Sequence, residues 1–251
     1  DYSDGRLQIV GTLWGLTGAA YSTNTSGGIS IAAGDIDGDE LDEMIIGQIN
    51  GEGAQCFMQI MNLRSTGSGR VIEFFRTPPI QAIHPMIQGE GGVNLAAGDV
   101  NGDEKNEILA ATGGNTGWGG GFVQLLGLTI EEKPNKQNNR ITRIVRDDSR
   151  VIMAFGPDVN PSGGVGIAAG NLDKDPADEL LVSTQSIIEL NEETGEVTAP
   201  FAANPCYAKA YNLDFVEGSF VNLSPAIPLF VPFDGALHPS SGAVDVEIYE
   251  E

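Results

Sequence analysis

Twelve oxygen-bearing side chains recur in this sequence at one fixed spacing, and that spacing suits the holding of a hard cation. Numbered within a nine-position loop, positions 1, 3, 5 and 9 are Asp35, Asp37, Asp39 and Glu43 in a first copy. They are Asp99, Asn101, Asp103 and Glu107 in a second copy, and Asn171, Asp173, Asp175 and Glu179 in a third. None is Cys or His. Zn²⁺ favours nitrogen and sulfur donors. Mg²⁺ keeps several waters and seldom enters a cage made by one loop, whereas Ca²⁺ accepts six to eight oxygens in adaptable geometry. The expected ligand sets are those side chains, with the position-7 carbonyls of Leu41, Lys105 and Ala177 completing each shell. Two to three Ca²⁺ ions are therefore expected. Without a cation, so many acidic groups in one short turn would repel one another.

The loop opens like an EF-hand but departs from it. An EF-hand needs Gly at position 6 and a bidentate Glu at position 12. Here position 6 is Glu40, Glu104 and Pro176, and position 12 is Ile46, Ala110 and Val182. The expected flexible residue is position 4 instead, Gly38 and Gly102. The third copy has Lys174 there and neutral Asn171 at position 1, so its site is expected to be the weakest. Asp42, Asn106 and Asp178, at position 8, are expected to brace the loop through backbone hydrogen bonds rather than to touch an ion.

Each loop sits inside a longer repeat: GGISIAAGDIDGDELDEMIIG (27–47), GGVNLAAGDVNGDEKNEILAA (91–111) and GGVGIAAGNLDKDPADELLVS (163–183). An apolar run, an acidic loop and a second apolar run describe two strands joined by the candidate site, and copies this close imply a fold built from one unit. These residues resemble the FG-GAP family, the calcium-loop blades of integrin α-subunit propellers and many bacterial surface proteins. GDVNGDEKNEILAA (98–111) follows that pattern nearly throughout. The chain departs in closing the loop with Glu rather than Asp and in lacking Gly at position 6. The resemblance implies a calcium-binding β-propeller and leaves the biological role open, since such blades serve in adhesins, lectins, lyases and scaffolds.

The rest of the chain fits an all-β reading. Of 251 residues, 34 are glycine, and helix-period segments are nearly absent, as many tight turns between strands require. The formal charge of −22 argues against nucleic acid and anionic membranes as partners. No apolar stretch reaches the 18 residues of a membrane span. Calcium loops of this kind suit millimolar external calcium, so an extracellular or cell-surface location is expected.

Double-glycine markers at Gly28, Gly92 and Gly164, with a degraded one at Ser241-Gly242, set repeat steps long enough for a four-stranded blade. The expected units are residues 27–90, 91–162 and 163–240 of a single domain spanning 1–251. In the first unit strands are expected at 29–34, 43–47, 56–62 and 71–75. In the second they are expected at 93–98, 107–112, 122–128 and 150–155. In the third they are expected at 165–170, 179–184 and 207–213, with an ill-defined fourth near 220–233. Residues 5–16 resemble a third strand, and residues 240–251 resemble a first strand. Residues 1–26 and 241–251 are thus expected to form a composite blade, giving about four blades. That clasp closes either within one molecule, as a ring, or between molecules by terminal strand exchange, as a head-to-tail filament.

Other candidate chemistry is thin. His84 and His238 each precede a Pro and a double-glycine marker and read as turn residues; no nucleophilic triad is proposed from them. Trp118, in the glycine-rich run 113–122, is the one candidate for stacking on a sugar or a partner, against a hairpin residue covering a blade edge. Residues 131–140 read as a solvated loop. Cys56 and Cys206 are the only cysteines, and either a disulfide or two buried thiols fits them. Asn24 and Asn222 head glycosylation sequons. The resulting expectation is a non-catalytic, calcium-stabilised structural or adhesive protein. Its partners would be calcium, other copies of itself, and glycans or surface proteins; a carbohydrate-binding module or part of a polysaccharide-active enzyme is the alternative.

Overall fold

A computed structural model describes residues 28–49, 56–65, 71–83, 91–113, 121–131, 140–155, 163–185, 206–214, 219–222 and 227–229. All the elements among them are strands, arranged as three antiparallel sheets. The first sheet runs β1 (Ile29–Gly34), β2 (Glu43–Gln48), β3 (Phe57–Ser65) and β4 (Val71–Arg76), with β5 (Ile80–Gln81) also pairing β3. The second runs β6 (Val93–Gly98), β7 (Glu107–Thr112), β8 (Phe122–Glu131) and β9 (Arg140–Met153). The third runs β10 (Gly164–Gly170), β11 (Glu179–Gln185), β12 (Cys206–Asp214) and β13 (Ser219–Asn222), with β14 (Ile227–Leu229) also on β12. Each sheet is therefore a meander in chain order, one per sequence repeat.

The hairpin that carries each candidate loop has the same register in all three sheets. Gly34 faces Glu43, Gly98 faces Glu107 and Gly170 faces Glu179 across the pair. The loop between the two strands has the same length in every copy and so fixes that register, since in a hairpin the length of the connection decides which residues face each other. The loop is thereby held at one end of a two-stranded ladder.

Successive sheets pack by a repeated relation: β1 lies against β6, and β6 against β10. Between the first two sheets, Ile36, Ile45, Met58 and Ile60 meet Val93, Leu95, Ile108 and Leu126. Between the second and third, Val100, Leu109, Leu125 and Phe155 meet Val165, Ile167, Leu180 and Tyr211. Most of these side chains are fully buried, each stabilising the fold by about 1.5–3 kcal/mol relative to exposure. The small residues at the strand ends permit the approach. A Cβ on Gly34 would come within 2.9 Å of Asn106, and one on Gly98 within 2.4 Å of the Ala169 Cβ.

The expected first two strands of every unit are observed within a residue at each end. The fourth strand of the first unit is observed too, as β4, whereas those of the second and third units differ. In place of a short strand at 150–155, β9 runs from Arg140 and forms a long hairpin with β8, with two register shifts. In the third unit the fourth place is split between β13 and β14, which pair with opposite ends of β12. The terminal segments of the expected composite blade, His84, His238, Trp118 and the Asn24 sequon lie outside the described residues. Cys56 is a buried thiol whose Sγ donates to the Gly92 carbonyl at 3.1 Å.

Candidate metal centre

The position-1 side chain organises each loop by accepting from the backbone ahead of it. Asp35 Oδ1 accepts from the amides of Gly38 (2.7 Å) and Asp39 (3.1 Å), and its Oδ2 from Glu40 (2.9 Å). Asp99 accepts from Asp103 (3.0 Å) and Glu104 (2.8 Å), and Asn171 Oδ1 from Lys174 (2.8 Å). Carboxylates at positions 3 and 5 add the same short-range bonds, such as Asp39 Oδ1 from Leu41 and Asp175 Oδ1 from Ala177. These bonds curl the backbone around the space where the side-chain oxygens meet.

That curl needs left-handed backbone. Position 4 has φ of 74° at Gly38, 72° at Gly102 and 72° at Lys174. Position 6 is also left-handed in the first two loops, at Glu40 (68°) and Glu104 (69°). The expectation that position 4 alone takes this conformation is thus corrected: a Glu does at position 6 what an EF-hand asks of Gly. In the third loop Pro176 cannot, and Lys174 carries the left-handed turn at a cost of about 1–2 kcal/mol for an L-residue.

Position 9 closes the loop from the second strand. Glu43 Oε2 accepts from the Ile36 amide (3.1 Å), and Oε1 from Asn62 Nδ2 (2.9 Å) reaching across from β3. Glu179 accepts from the Leu172 amide, and Glu107 from that of Val100. Asn62 has no counterpart in the repeated motif, so its role carries no sequence signal. Glu43 is 1% exposed and Glu179 0%. Glu107 Oε2 and Glu179 Oε1 are buried and accept no hydrogen bond among the described residues.

In two loops the carboxylates converge. Single oxygens of Asp35, Asp37 and Asp39 all lie within 4.8 Å of one another, as do those of Asp173, Asp175 and Glu179. Either triad could hold a metal ion. The second loop is arranged differently, because the Asn101 amide nitrogen donates to Glu107 Oε1, while Asn101 Oδ1 accepts from Asp103 (2.8 Å). In the third, the amide nitrogen of Asn171 donates to the carbonyls of Asp175 and Ala177. Asn171 thus braces the loop there, on the carbonyl expected to serve as a ligand.

Electrostatics agree with the convergence. Burial, followed by the charges of Asp39 and Asp35, pushes Asp37 up to about 6. Burial and then Asp37 push Glu43 up to about 8, and burial with Asp103 and Asp99 does the same for Glu107. Glu179 is also raised, chiefly by burial. Sites with raised carboxylates, an all-oxygen donor set and buried oxygens lacking a donor fit a divalent cation, which supplies the missing positive charge.

Position 8 braces as expected, but across sheets. Asn106 N donates to the Asp35 carbonyl (2.9 Å) and Asp178 N to the Asp99 carbonyl (2.7 Å). Asp178 Oδ2 in turn accepts from Asp99 N (3.0 Å). The first and second loops are thus each tied through their first residue to the next unit. No protein-family model matches this sequence, and no curated protein is significantly similar to it.

Proposed function

We propose that this chain is an extracellular, calcium-stabilised structural or adhesive protein built from propeller-type blades. The observation that carries the reading is the gathering of Asp35, Asp37 and Asp39 beside the buried Glu43. Like charges brought together out of water need a compensating cation. Asp35, Asp37, Asp39, Glu43 and the Leu41 carbonyl would hold it in the first loop. The third loop would use Asp173, Asp175 and Glu179, and the second Asp99, Asn101, Asp103 and Glu107. Calcium is favoured over magnesium by the crowd of loop oxygens. The ion would pin the turn between the first two strands of each blade and join folding to metal binding.

Blade character is supported by the meander order of each sheet and by the two equal steps from β1 to β6 to β10. The resemblance to FG-GAP repeats supports the same reading, as well as a role in adhesion or assembly rather than catalysis. Of the two ways the blades could be completed, the head-to-tail form is favoured by the exposure of Ile29 and Ile31 on β1, at 40% and 55%. Titration calorimetry on chelator-stripped protein should find two to three calcium ions per chain. Thermal unfolding should shift down in EDTA. An unchanged midpoint, or equal stabilisation by magnesium, would count against the proposal.

A further inference from the structure

β6 and β10 each bury one face against the sheet before them, and β1 leaves the matching face open. Val93 and Val165 are 0% exposed, and Leu95 and Ile167 are 6% exposed. The equivalent residues on β1 are Ile29 and Ile31, at 40% and 55%. Leu41 is 47% exposed, whereas Ala177 at the same loop position is 6% exposed against the loop before it. Three of the four large exposed apolar residues among the described ones therefore lie on this single face.

The opposite end of the stack shows the complementary defect. Ile36 and Val100 are buried by the sheet that follows them, as are Ile45 and Leu109, all at 1% exposure or less. Their equivalents in the third sheet, Leu172 and Leu181, are only half-buried. Asp42 holds the bracing position of the first loop and is exposed, and Asn171 holds the receiving position of the third and is exposed too. The two ends are complementary in apolar residues and in backbone bonding.

We infer that the β1 face, centred on Ile29, Ile31 and Leu41, is a docking surface for the third sheet of a second copy of this chain. The contact would continue the relation already made twice within the molecule. A second copy is favoured over the chain's own C-terminal segment by one residue. Aligned on Ser241-Gly242, that segment places Ile248 where Gly34, Gly98 and Gly170 stand. At Gly34 and Gly98 even a Cβ would strike the next unit. The third sheet retains its glycine there, and among the described elements β10 has no packing on β1 comparable to that of β6. Such a contact joins two different faces, so it propagates head to tail. It names the partner in the assembly reading above and rests on the repeated packing, not on which cation fills the loops.

Sedimentation velocity of the full chain in calcium buffer, across a wide concentration range, tests this. Wild-type protein should sediment progressively faster as concentration rises. Ile31→Asp and Leu181→Asp should each weaken association by about tenfold or more, about 1.4 kcal/mol. An equimolar mixture of the two variants should form dimers and nothing larger, because each retains one intact face. If either variant melts below wild type, Ile31→Ser and Leu181→Thr take their places. Wild-type protein that stays monomeric throughout, as it would were its own termini to cover β1, overturns the inference. So does a folded variant that associates as well as wild type, or a mixture that never dimerises. EDTA separates the two readings, since an unchanged melting midpoint sinks the metal proposal while leaving concentration-dependent association intact.

Discussion

Glu43 and Glu107 are carboxylates placed where an unaccompanied charge is costly, and that gives the metal-free protein an unusual pH response. Their folded values lie near 8, above the ordinary 4.5 of an exposed Glu. Between those values the unfolded chain is ionised while the folded one retains its proton. Stability in EDTA is therefore greatest below about pH 4.5 with respect to these groups, and falls as pH rises towards 8. Saturating calcium should reverse the trend, because it binds the ionised form. Melting midpoints from pH 5 to 8, with and without calcium, check this. Glu43→Gln should flatten part of the EDTA decline and remove the calcium increment of one site, about 2.7 kcal/mol at a hundredfold excess over its dissociation constant. A variant with the wild-type pH profile would show that Glu43 is not the group responsible. Lys174 offers a separate test. Its φ of 72° is paid for by an L-residue, and Lys174→Gly should raise the urea midpoint by about 0.5–1 kcal/mol of stability. The net gain is smaller than the steric cost at an L-residue because Gly has greater freedom in the unfolded chain.

The hairpins of the first two strands were legible because the repeat aligned them three times and the acidic loop marked where each turned. The fourth strands of the second and third units were not. Residues 140–149 mix Arg and Asp with Ile and Val without strict alternation and so carry no clear strand signal of their own, although backbone pairing with β8 makes them a strand. Pairing of this kind depends on the partner strand rather than on local preference. For the sites, the spacing picked out the carboxylates that gather in the first and third loops, but not the orientation of the carboxamides among them. Nothing in the sequence foretold that Asn101 and Asn171 would turn their amide nitrogens inward, or that Asn62 of β3 would hold Glu43. The bracing role of position 8 was legible too, whereas its acceptor on the neighbouring unit was not, because a repeat alignment says nothing about how copies meet. The small strand-end residues set that meeting. Gly98→Ala would drive a methyl group into Ala169, and the overpacking should cost about 1–3 kcal/mol in chemical unfolding with calcium present. A loss much below that range would mean that β6 and β10 yield easily and that the strand-end glycine is not what lets the units close.

At the scale of the whole molecule, 35 acidic residues against 13 basic ones must be kept together, and the three loops concentrate part of that excess in small, partly buried volumes. Three divalent ions would cut the deficit of 22 charges by six, yet those six fall where repulsion is strongest. Mobile salt is a poorer substitute: at about 0.1 M its screening length is about 10 Å, so it weakens repulsion between distant charges more than between oxygens a few ångströms apart. Raising sodium chloride in EDTA should therefore increase the melting midpoint steadily, while leaving it below the value in calcium. With calcium saturating, the same salt should produce a smaller gain, because the loop charges are already neutralised and only the remaining acidic excess is left to screen. Scanning calorimetry across a salt series in both conditions measures the two slopes. Equal slopes would place the charge strain on the general surface, and the loops would then be ordinary acidic turns in a protein whose cohesion comes from its sheets alone.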